Sequence, residues 1–193
     1  MIQPEAVYDV PPARYGHTMN VYNNCLVIFG GAGAYNEGMR VWYKFVHLFD
    51  KIEEKWLKSV DNTPHNQPKP DQRMYHSAAV FGSILMIYGG LNTEDKTLYD
   101  DMHIYDLHLN SWIDLKKKEI WSASLGHRYM HSMTSIVSSK FASKYSLSMW
   151  LKYPPKDPYG TMPSHFFGVY LFGGYKLGEG QMNDLWVIKP NHK

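Results

Sequence analysis

The chain has 193 residues, of which 44% are hydrophobic and 20% are charged. This apolar fraction is enough to build a packed core, so we expect a folded chain and not a disordered one. The formal net charge of +2 argues against a strongly basic nucleic-acid-binding protein. The single cysteine, Cys25, excludes an internal disulfide framework and an all-cysteine zinc site.

The start of the sequence shows no targeting segment. The first ten residues contain Pro4, Glu5 and Asp9 and no apolar run, which argues against a secretory signal peptide. The longest apolar stretches, such as 25–29, are far shorter than the roughly 20 residues that span a bilayer. We therefore expect an intracellular, cytoplasmic protein with no membrane contact.

Taken in chain order, one pattern occurs three times. Each copy begins with Arg-x-x-His, at 14–17, 73–76 and 128–131, and continues to a pair of glycines. The pair starts thirteen residues after the histidine in the first two copies, and 29 residues later than that in the third. These glycine pairs are Gly30 and Gly31, Gly89 and Gly90, and Gly173 and Gly174.

The segments around these markers predict strands. In the first copy, the predicted strands 17–21 and 26–29 flank a polar turn at 22–25, as in a hairpin. A third alternating run follows each glycine pair, and the first two copies add a tryptophan six residues after an aspartate, at Trp56 and Trp112. No helical periodicity competes with this pattern. Each complete copy is therefore predicted to be a four-stranded antiparallel meander.

This arrangement resembles the kelch repeat, and the resemblance covers about residues 11–190. It implies an all-β fold in which the single domain 1–193 is a segment of a kelch-type β-propeller, with two full blades and most of a third. The expected blades are residues 14–60, 73–116 and 128–190. The glycine pairs would form turns in which a Cβ atom would clash, and Trp56 and Trp112 would fill the space between neighbouring blades.

Three blades are too few to close a ring, since propellers have roughly four to eight. The two ends of such an arc would expose apolar faces and unpaired strand edges. Three explanations remain open at this point. The sequence belongs to a longer propeller, arcs from several chains complete one ring, or another protein of an assembly covers the exposed faces.

The arginines that begin the copies are candidate partner contacts. The resemblance implies contacts at a mouth of the wheel, where an arginine can clamp a carboxylate with two hydrogen bonds. The alternative is a structural role, in which each arginine caps backbone carbonyls between blades. These residues are Arg14, Arg73 and Arg128. In the first copy Phe45 occupies the position of Asp101 and Asp184, which puts a turn contact usual in the family in question there.

The third copy carries an insertion at 138–166, between its first two predicted strands. It has four lysines, one aspartate and several aromatic residues. A loop of this length inside a hairpin is usually functional or disordered. It is interpreted as a partner contact, a tolerated surface insertion or, least expected, a nucleic-acid contact made by lysines and stacking aromatics. Its candidate contact residues are Lys144, Trp150, Lys152 and Tyr153.

A second aromatic stretch follows the first glycine pair. Residues 32–44 contain Tyr35, Trp42 and Tyr43. The stretch is interpreted either as an exposed aromatic surface or as a loop that packs on its own blade.

No catalytic motif is present, and the repeated His17, His76 and His131 would be spread around the axis instead of converging on a metal. Some kelch-type propellers hold copper with a cysteine-linked tyrosine, but Cys25 lies at a turn without further recognisable ligands. We therefore expect no enzyme activity, metal or cofactor. The predicted function is a protein-protein interaction scaffold that presents loops to a partner. The alternatives are a structural subunit of a large intracellular assembly such as the cytoskeleton, and a fragment of a ubiquitin-ligase substrate adaptor.

Overall fold

The computed structural model describes residues 10–36, 39–115, 125–136 and 168–188. Every regular element in these ranges is a β-strand, which confirms the all-β prediction, and they contain no helix that could cross a membrane. The strands are β1 (Thr18–Tyr22), β2 (Cys25–Phe29), β3 (Ala32–Asn36), β4 (Met39–Trp42), β5 (Val46–Asp50), β6 (Lys55–Trp56), β7 (Ser77–Phe81), β8 (Ile84–Tyr88), β9 (Leu91–Asn92), β10 (Thr97–Leu98), β11 (Met102–Asp106), β12 (Ser111–Ile113), β13 (Ser132–Ile136), β14 (Gly168–Phe172), β15 (Tyr175–Lys176), β16 (Gly180–Gln181) and β17 (Leu185–Ile188).

These strands form three blades of antiparallel sheet. The first has the order β1-β2-β5-β6, and the second, written from its first strand outwards, has the order β7-β8-β11-β12. The third blade contains β13-β14-β17 within the described residues. In the fourth strands, Trp56 lies opposite Phe49 and Trp112 lies opposite Tyr105, so the tryptophans occupy equivalent register positions. The predicted four-stranded blades are confirmed.

Between the second and third strands of each blade lies a short two-stranded ribbon: β3-β4, β9-β10 and β15-β16. The sequence pattern predicts only loops here, since strands of two residues are too short to show alternation. Each ribbon starts directly after a glycine pair. It is tied to the repeat-start loop of its own blade by one isolated β-bridge, such as the one between Tyr15 and Ala32.

The hydrophobic core lies between the blades. One cluster fills the space between the first and second blades, and a second cluster fills the space between the second and third. Trp112 is 3% exposed and packs edge-on against Phe29 of the first blade, with ring centroids 5.2 Å apart. Because each cluster draws on two blades, a blade gains most of its buried surface from its neighbours.

The crossing from the first to the second blade packs along the outer strand β12. The backbone N–H of Trp112 donates to Thr63 Oγ1 at 2.8 Å, and the Tyr105 hydroxyl donates to the Val60 carbonyl at 3.1 Å. The crossing therefore covers the outer side of the second blade.

The glycine pairs make backbone hydrogen bonds between blades. The N–H of Gly31 donates to the Arg73 carbonyl at 3.0 Å, and the N–H of Gly90 donates to the Arg128 carbonyl at 2.8 Å. Gly90 has φ +96°, and a Cβ atom built on it would lie 2.8 Å from the Met74 carbonyl oxygen. Any larger residue there would both adopt an unfavourable φ and collide with backbone.

Candidate protein-binding site

The three repeat-start loops are joined to one another by backbone hydrogen bonds. The first strands of neighbouring blades lie in contact, β1 with β7 and β7 with β13. The N–H of Tyr75 donates to the Gly16 carbonyl, and the N–H of Met130 donates to the Tyr75 carbonyl, each at 2.8 Å. These three equivalent residues have positive φ, from 55° to 67°. The ladder holds the loops side by side on one face of the arc.

Arg73 is fully buried at 0% exposure. Its Nη1 donates to the Gly89 carbonyl at 3.1 Å, and its two terminal nitrogens donate to the two carboxylate oxygens of Asp101 at 2.5 and 3.1 Å. The guanidinium also stacks on Tyr99, with Cζ 3.9 Å from the ring centroid. Arg73 thus links the glycine turn to the start of the third strand of its own blade.

Arg128 repeats this arrangement in the third blade at 1% exposure. Its terminal nitrogens donate to both carboxylate oxygens of Asp184 at 3.0 and 2.9 Å, and Nη1 donates to the Gly173 carbonyl at 3.2 Å. A further bond runs from Nη2 to the Leu125 carbonyl at 2.7 Å. The bidentate pair therefore recurs wherever the aspartate is present.

Arg14 has a different environment, because Phe45 replaces the aspartate in the first blade. Its Nη1 donates to the Gly30 carbonyl at 3.2 Å, its Nη2 lies 3.4 Å from His47 Nε2, and its Cζ lies 4.0 Å above the ring of Tyr43. An arginine can only donate, so His47 must accept through Nε2. Arg14 is half-buried and pairs with an imidazole where the other two arginines pair with a carboxylate.

A cavity of about 400 Å³ lies beside His47, the hydrogen-bond partner of this arginine. Phe45 and His47 line it on the first blade, and Tyr105 and Trp112 line it on the second. Its walls are mainly apolar, which suits an apolar group more than an ion.

The two aspartates that pair with the buried arginines have pKa values below the ordinary value. Burial would raise the pKa of Asp101, but hydrogen bonds from His103 and Arg73 outweigh it and hold that pKa far below the usual range. Hydrogen bonds from Arg128 lower the pKa of Asp184 to about 2. Both aspartates are therefore ionised at neutral pH and neutralise the buried arginines.

An exposed cluster of tyrosines surrounds Arg40 on the face where the repeat-start loops lie. Tyr15 is 42% exposed and Tyr35 is 60% exposed. The Arg40 Nη2 donates to the Tyr35 hydroxyl at 2.9 Å, and its Cζ lies 4.5 and 5.4 Å from the ring centroids of Tyr35 and Tyr15. The ring of Tyr75 in the second blade lies 6.3 Å from that of Tyr15. We call Tyr15, Tyr35, Arg40 and Tyr75 the tyrosine face.

The tyrosine face is only partly visible in the sequence. The stretch 32–44 is interpreted from the sequence as an exposed aromatic surface or as a loop that packs on its own blade, and Tyr35 is exposed. Tyr15 and Tyr75 belong to the repeat-start motifs, and no role in binding is predicted for them from the sequence. No sequence pattern pointed to Arg40. Its position against the rings of Tyr15 and Tyr35 depends on the pairing of β3 with β4, which the sequence did not predict.

Other predicted contact residues lie beyond the described ranges. Lys144, Trp150, Lys152 and Tyr153 all belong to the insertion, of which the structure describes no part. Within 10–36, 39–115, 125–136 and 168–188, no three His, Cys, Asp or Glu side chains converge on a point that could hold a metal ion.

The chain was compared with known proteins. Residues 1–143 match the family model described as the KLHDC2/KLHL20/DRC7 Kelch-repeats domain. The human Kelch domain-containing protein 3 is 27% identical over 94% of this chain and 53% of that protein. An F-box/kelch-repeat protein of Arabidopsis thaliana is 23% identical over 92% of the chain and 42% of its own length.

A match of a different kind is the dynein alpha chain of the flagellar outer arm of Chlamydomonas reinhardtii, 24% identical over 96% of the chain but only 3% of that protein. The chain spans about half the length of the Kelch domain-containing protein 3 sequences that it matches. The three repeats, the antiparallel blades and the family match agree, and the chain belongs to the kelch-repeat family of β-propeller proteins.

Proposed function

We propose that this chain is a non-catalytic protein-interaction module that presents the tyrosine face to a protein partner. The observation that carries this proposal is the pair of exposed rings Tyr15 and Tyr35, which lie against the mostly buried side chain of Arg40. Kelch repeats are generally protein-interaction modules, which supports the same function.

The chemistry of the tyrosine face suits a protein interface. Tyrosine and arginine are enriched among the residues that dominate binding energy in protein complexes. A tyrosine side chain has two rotatable bonds and loses little conformational entropy when it is buried. Arg40 is already held between two rings, and the backbone ladder holds Tyr15 beside Tyr75, so this surface is arranged before a partner arrives.

Arg14 is a second proposed contact. It is half-buried, and its neighbours Phe45 and His47 line the cavity that an apolar side chain of a partner would enter. Arg73 and Arg128 point inward, whereas the side chain of Asp101 is 41% exposed. A partner at this face would therefore meet the carboxylate of the second blade before its arginine.

The proposal is tested by quantitative affinity capture from the source cells, with the double variant Tyr35→Ala and Arg40→Ala beside wild type. We expect specifically captured proteins to fall by about 10-fold or more, because the variant removes the exposed Tyr35 ring and the arginine that holds the two rings in place. The matched control is Leu109→Ala, which changes a 54% exposed side chain on the turn between β11 and β12. Unchanged capture by the double variant, with the control behaving as wild type, would refute a role for the tyrosine face.

The insertion needs a separate measurement. Deletion of 138–166 removes the predicted contacts Lys144, Trp150, Lys152 and Tyr153 while leaving the tyrosine face unchanged. If partner capture depends on the insertion, it falls in the deletion variant alone. Capture equal to wild type would leave the insertion without a role in this binding.

A structural subunit of a larger assembly is the second candidate function. The observation that favours it is the exposure of large apolar side chains on both end blades, including Met19 at 61% and Leu185 at 62%. The third alternative, a fragment of a ubiquitin-ligase substrate adaptor, stays a prediction.

A further inference from the structure

The two ends of the blade arc present apolar side chains to solvent. On the first blade, Met19 is 61% exposed and Val21 is 58% exposed. They alternate along β1 with Thr18 and Tyr22, which contact the second blade, so Met19 and Val21 point away from it. With His17 and Trp56 they form what we call the N-terminal face. On the third blade, the C-terminal face consists of Ile136, Phe172, Leu185 and Val187, which are 46%, 53%, 62% and 40% exposed.

The same positions are buried in the middle blade. Phe172, Leu185 and Val187 of the third blade correspond in register to three residues of the second blade that pack on the third. These three are Tyr88, Met102 and Ile104, at 0%, 7% and 1% exposure. Likewise Ala78, at 8% exposure, occupies in the second blade the position of Met19 in the first. The exposed faces are thus inter-blade surfaces without their neighbours.

One ring contact recurs at each internal junction. His76 packs edge-on against Phe29 of the preceding blade at 5.3 Å between centroids, and His131 packs against Tyr88 at 5.8 Å. Both histidines are buried, at 4% and 6% exposure. The two ends of the arc carry the unused halves of this contact, the exposed His17 on the first blade and Phe172 on the third.

The backbone pattern can also be continued. At the internal junctions, the repeat-start residue before each histidine donates to its equivalent in the preceding blade, as Tyr75 does to Gly16 and Met130 to Tyr75. If a first blade from another copy followed the third blade, the same ladder would bring the N–H of its Gly16 to the carbonyl of Met130. The second glycine of each pair donates to the arginine carbonyl of the next blade, so Gly174 would donate to Arg14.

We propose that two copies of this chain dock head to tail, the C-terminal face of each on the N-terminal face of the other, to close a six-bladed ring. A propeller closes with about four to eight blades. The described residues of one copy form three blades, so two copies supply six, which is within this range. The Kelch domain-containing protein 3 sequence is about twice as long as its aligned part. A chain of that length has enough residues to form the same ring by itself.

This proposal is independent of the tyrosine face, and its first test is the mass of the purified chain. Light scattering after size-exclusion chromatography is expected to give twice 22.4 kDa at micromolar concentration. Phe172→Asp places a charge in the centre of the interface and is expected to weaken self-association by about 30-fold or more. Leu109→Asp, which alters a 54% exposed position outside both faces, is the matched control and should stay dimeric.

The direction of docking is tested by cross-linking in a Cys25→Ser background. His17→Cys and Phe172→Cys variants are prepared separately and treated with a short bismaleimide. In a head-to-tail ring, residue 17 of one copy faces residue 172 of the other, so each variant alone should give no cross-linked dimer and their mixture should give one. A symmetric face-to-face dimer would instead cross-link within a single variant.

Three results would overturn the proposal: a monomer of 22.4 kDa up to about 100 μM, a ladder of masses above the dimer, or a cross-linked dimer within one single-cysteine variant. Circular dichroism of Phe172→Asp checks that the variant keeps its fold. A monomer would mean that blades from another source cover the two faces. That outcome would leave the proposed function of the tyrosine face unaffected.

Discussion

At the scale of single residues, the three repeat-start arginines show how one difference in sequence gives equivalent positions two different environments. Arg73 and Arg128 each form a bidentate pair with an aspartate and are buried. Arg14 has Phe45 in place of that aspartate and remains half-buried. Burying a charge is tolerated only where a partner neutralises it, so the aspartate decides how deep the arginine lies.

Arginine deletions are therefore expected to differ in cost. Arg73→Ala removes the arginine donor from the Gly89 carbonyl and from the Asp101 carboxylate, which keeps its bond with His103. We expect a loss of about 3 kcal/mol in the free energy of unfolding. Arg14→Ala removes bonds to neutral groups near solvent and should cost about 1 kcal/mol. Urea unfolding of both variants measures the difference. Equal losses would show that the carboxylate pair does not set the cost.

The buried histidines predict acid sensitivity. Burial lowers the pKa of His76 to about 3 and that of His131 to about 4, against an ordinary value of 6.5. The unfolded chain takes up these protons near pH 6.5, whereas the folded chain does not, so stability is full above pH 6.5 and falls as the pH drops towards 4. Each histidine contributes at most about 1.4 kcal/mol per pH unit.

The check is unfolding free energy between pH 7 and pH 4 for wild type and His131→Phe. Phenylalanine keeps a ring against Tyr88 and cannot be protonated, so the variant should lose less stability over this range than wild type. Below pH 4 both proteins should lose more, because Asp184, with its pKa held at about 2, then takes up a proton more readily when unfolded. An unchanged slope in the variant would rule out His131 as a source of acid sensitivity.

At the scale of elements, the glycine pair determines how a blade meets the next one. The second glycine combines a positive φ with a carbonyl and a histidine of the repeat-start loop that lie where a Cβ atom would stand. That approach allows the backbone bonds from Gly31 and Gly90 to the next blade. A short turn thus positions the repeat-start loop, the ribbon and the neighbouring blade at once.

Two glycine substitutions separate backbone strain from collision. Gly90→Ala meets the Met74 carbonyl at 2.8 Å, whereas Gly178→Ala, at a similar φ of +85°, has nothing within 4 Å. Gly178→Ala should cost about 1 kcal/mol from its φ alone, and Gly90→Ala about 3 kcal/mol or more. Thermal unfolding of the two variants gives the comparison. Similar losses would mean that φ, and not the close approach, accounts for the glycine at position 90.

At the scale of the whole molecule, stability is expected to be greatest in the middle. The second blade packs against a core cluster on each side, whereas the first and third blades each have one cluster and one exposed face. Protection from exchange follows the number of buried contacts. Local stability is therefore expected to decrease from the second blade towards both ends of the arc.

Hydrogen-exchange mass spectrometry tests this ordering in the Phe172→Asp variant, which we expect to be monomeric. Amides of β8 and β11 should exchange most slowly, and those of β1 and β17 should exchange at least about 10-fold faster. Uniform protection across the three blades in a monomer would contradict the idea that the end faces lack neighbours.

The repeat pattern alone determined the all-β fold, the kelch resemblance and the four-stranded blades, because strand alternation, turn residues and the spacing of Arg-x-x-His to Gly-Gly are local properties of the chain. It also indicated that the first blade would differ at Phe45. The ribbons after the glycine pairs were missed, since strands of two residues carry too little pattern. The tyrosine face was half visible through Tyr35.

Only the tertiary structure decided which side chains are buried. Met19 and Ala78 stand at equivalent positions of the same repeat, yet one is 61% exposed and the other 8%. Trp56 and Trp112 look alike in sequence, yet Trp112 packs on Phe29 of a preceding blade, and Trp56 lies on the end face. Burial here is set across blades, between residues far apart in the chain, and a repeat that looks the same three times does not reveal which copy has a neighbour.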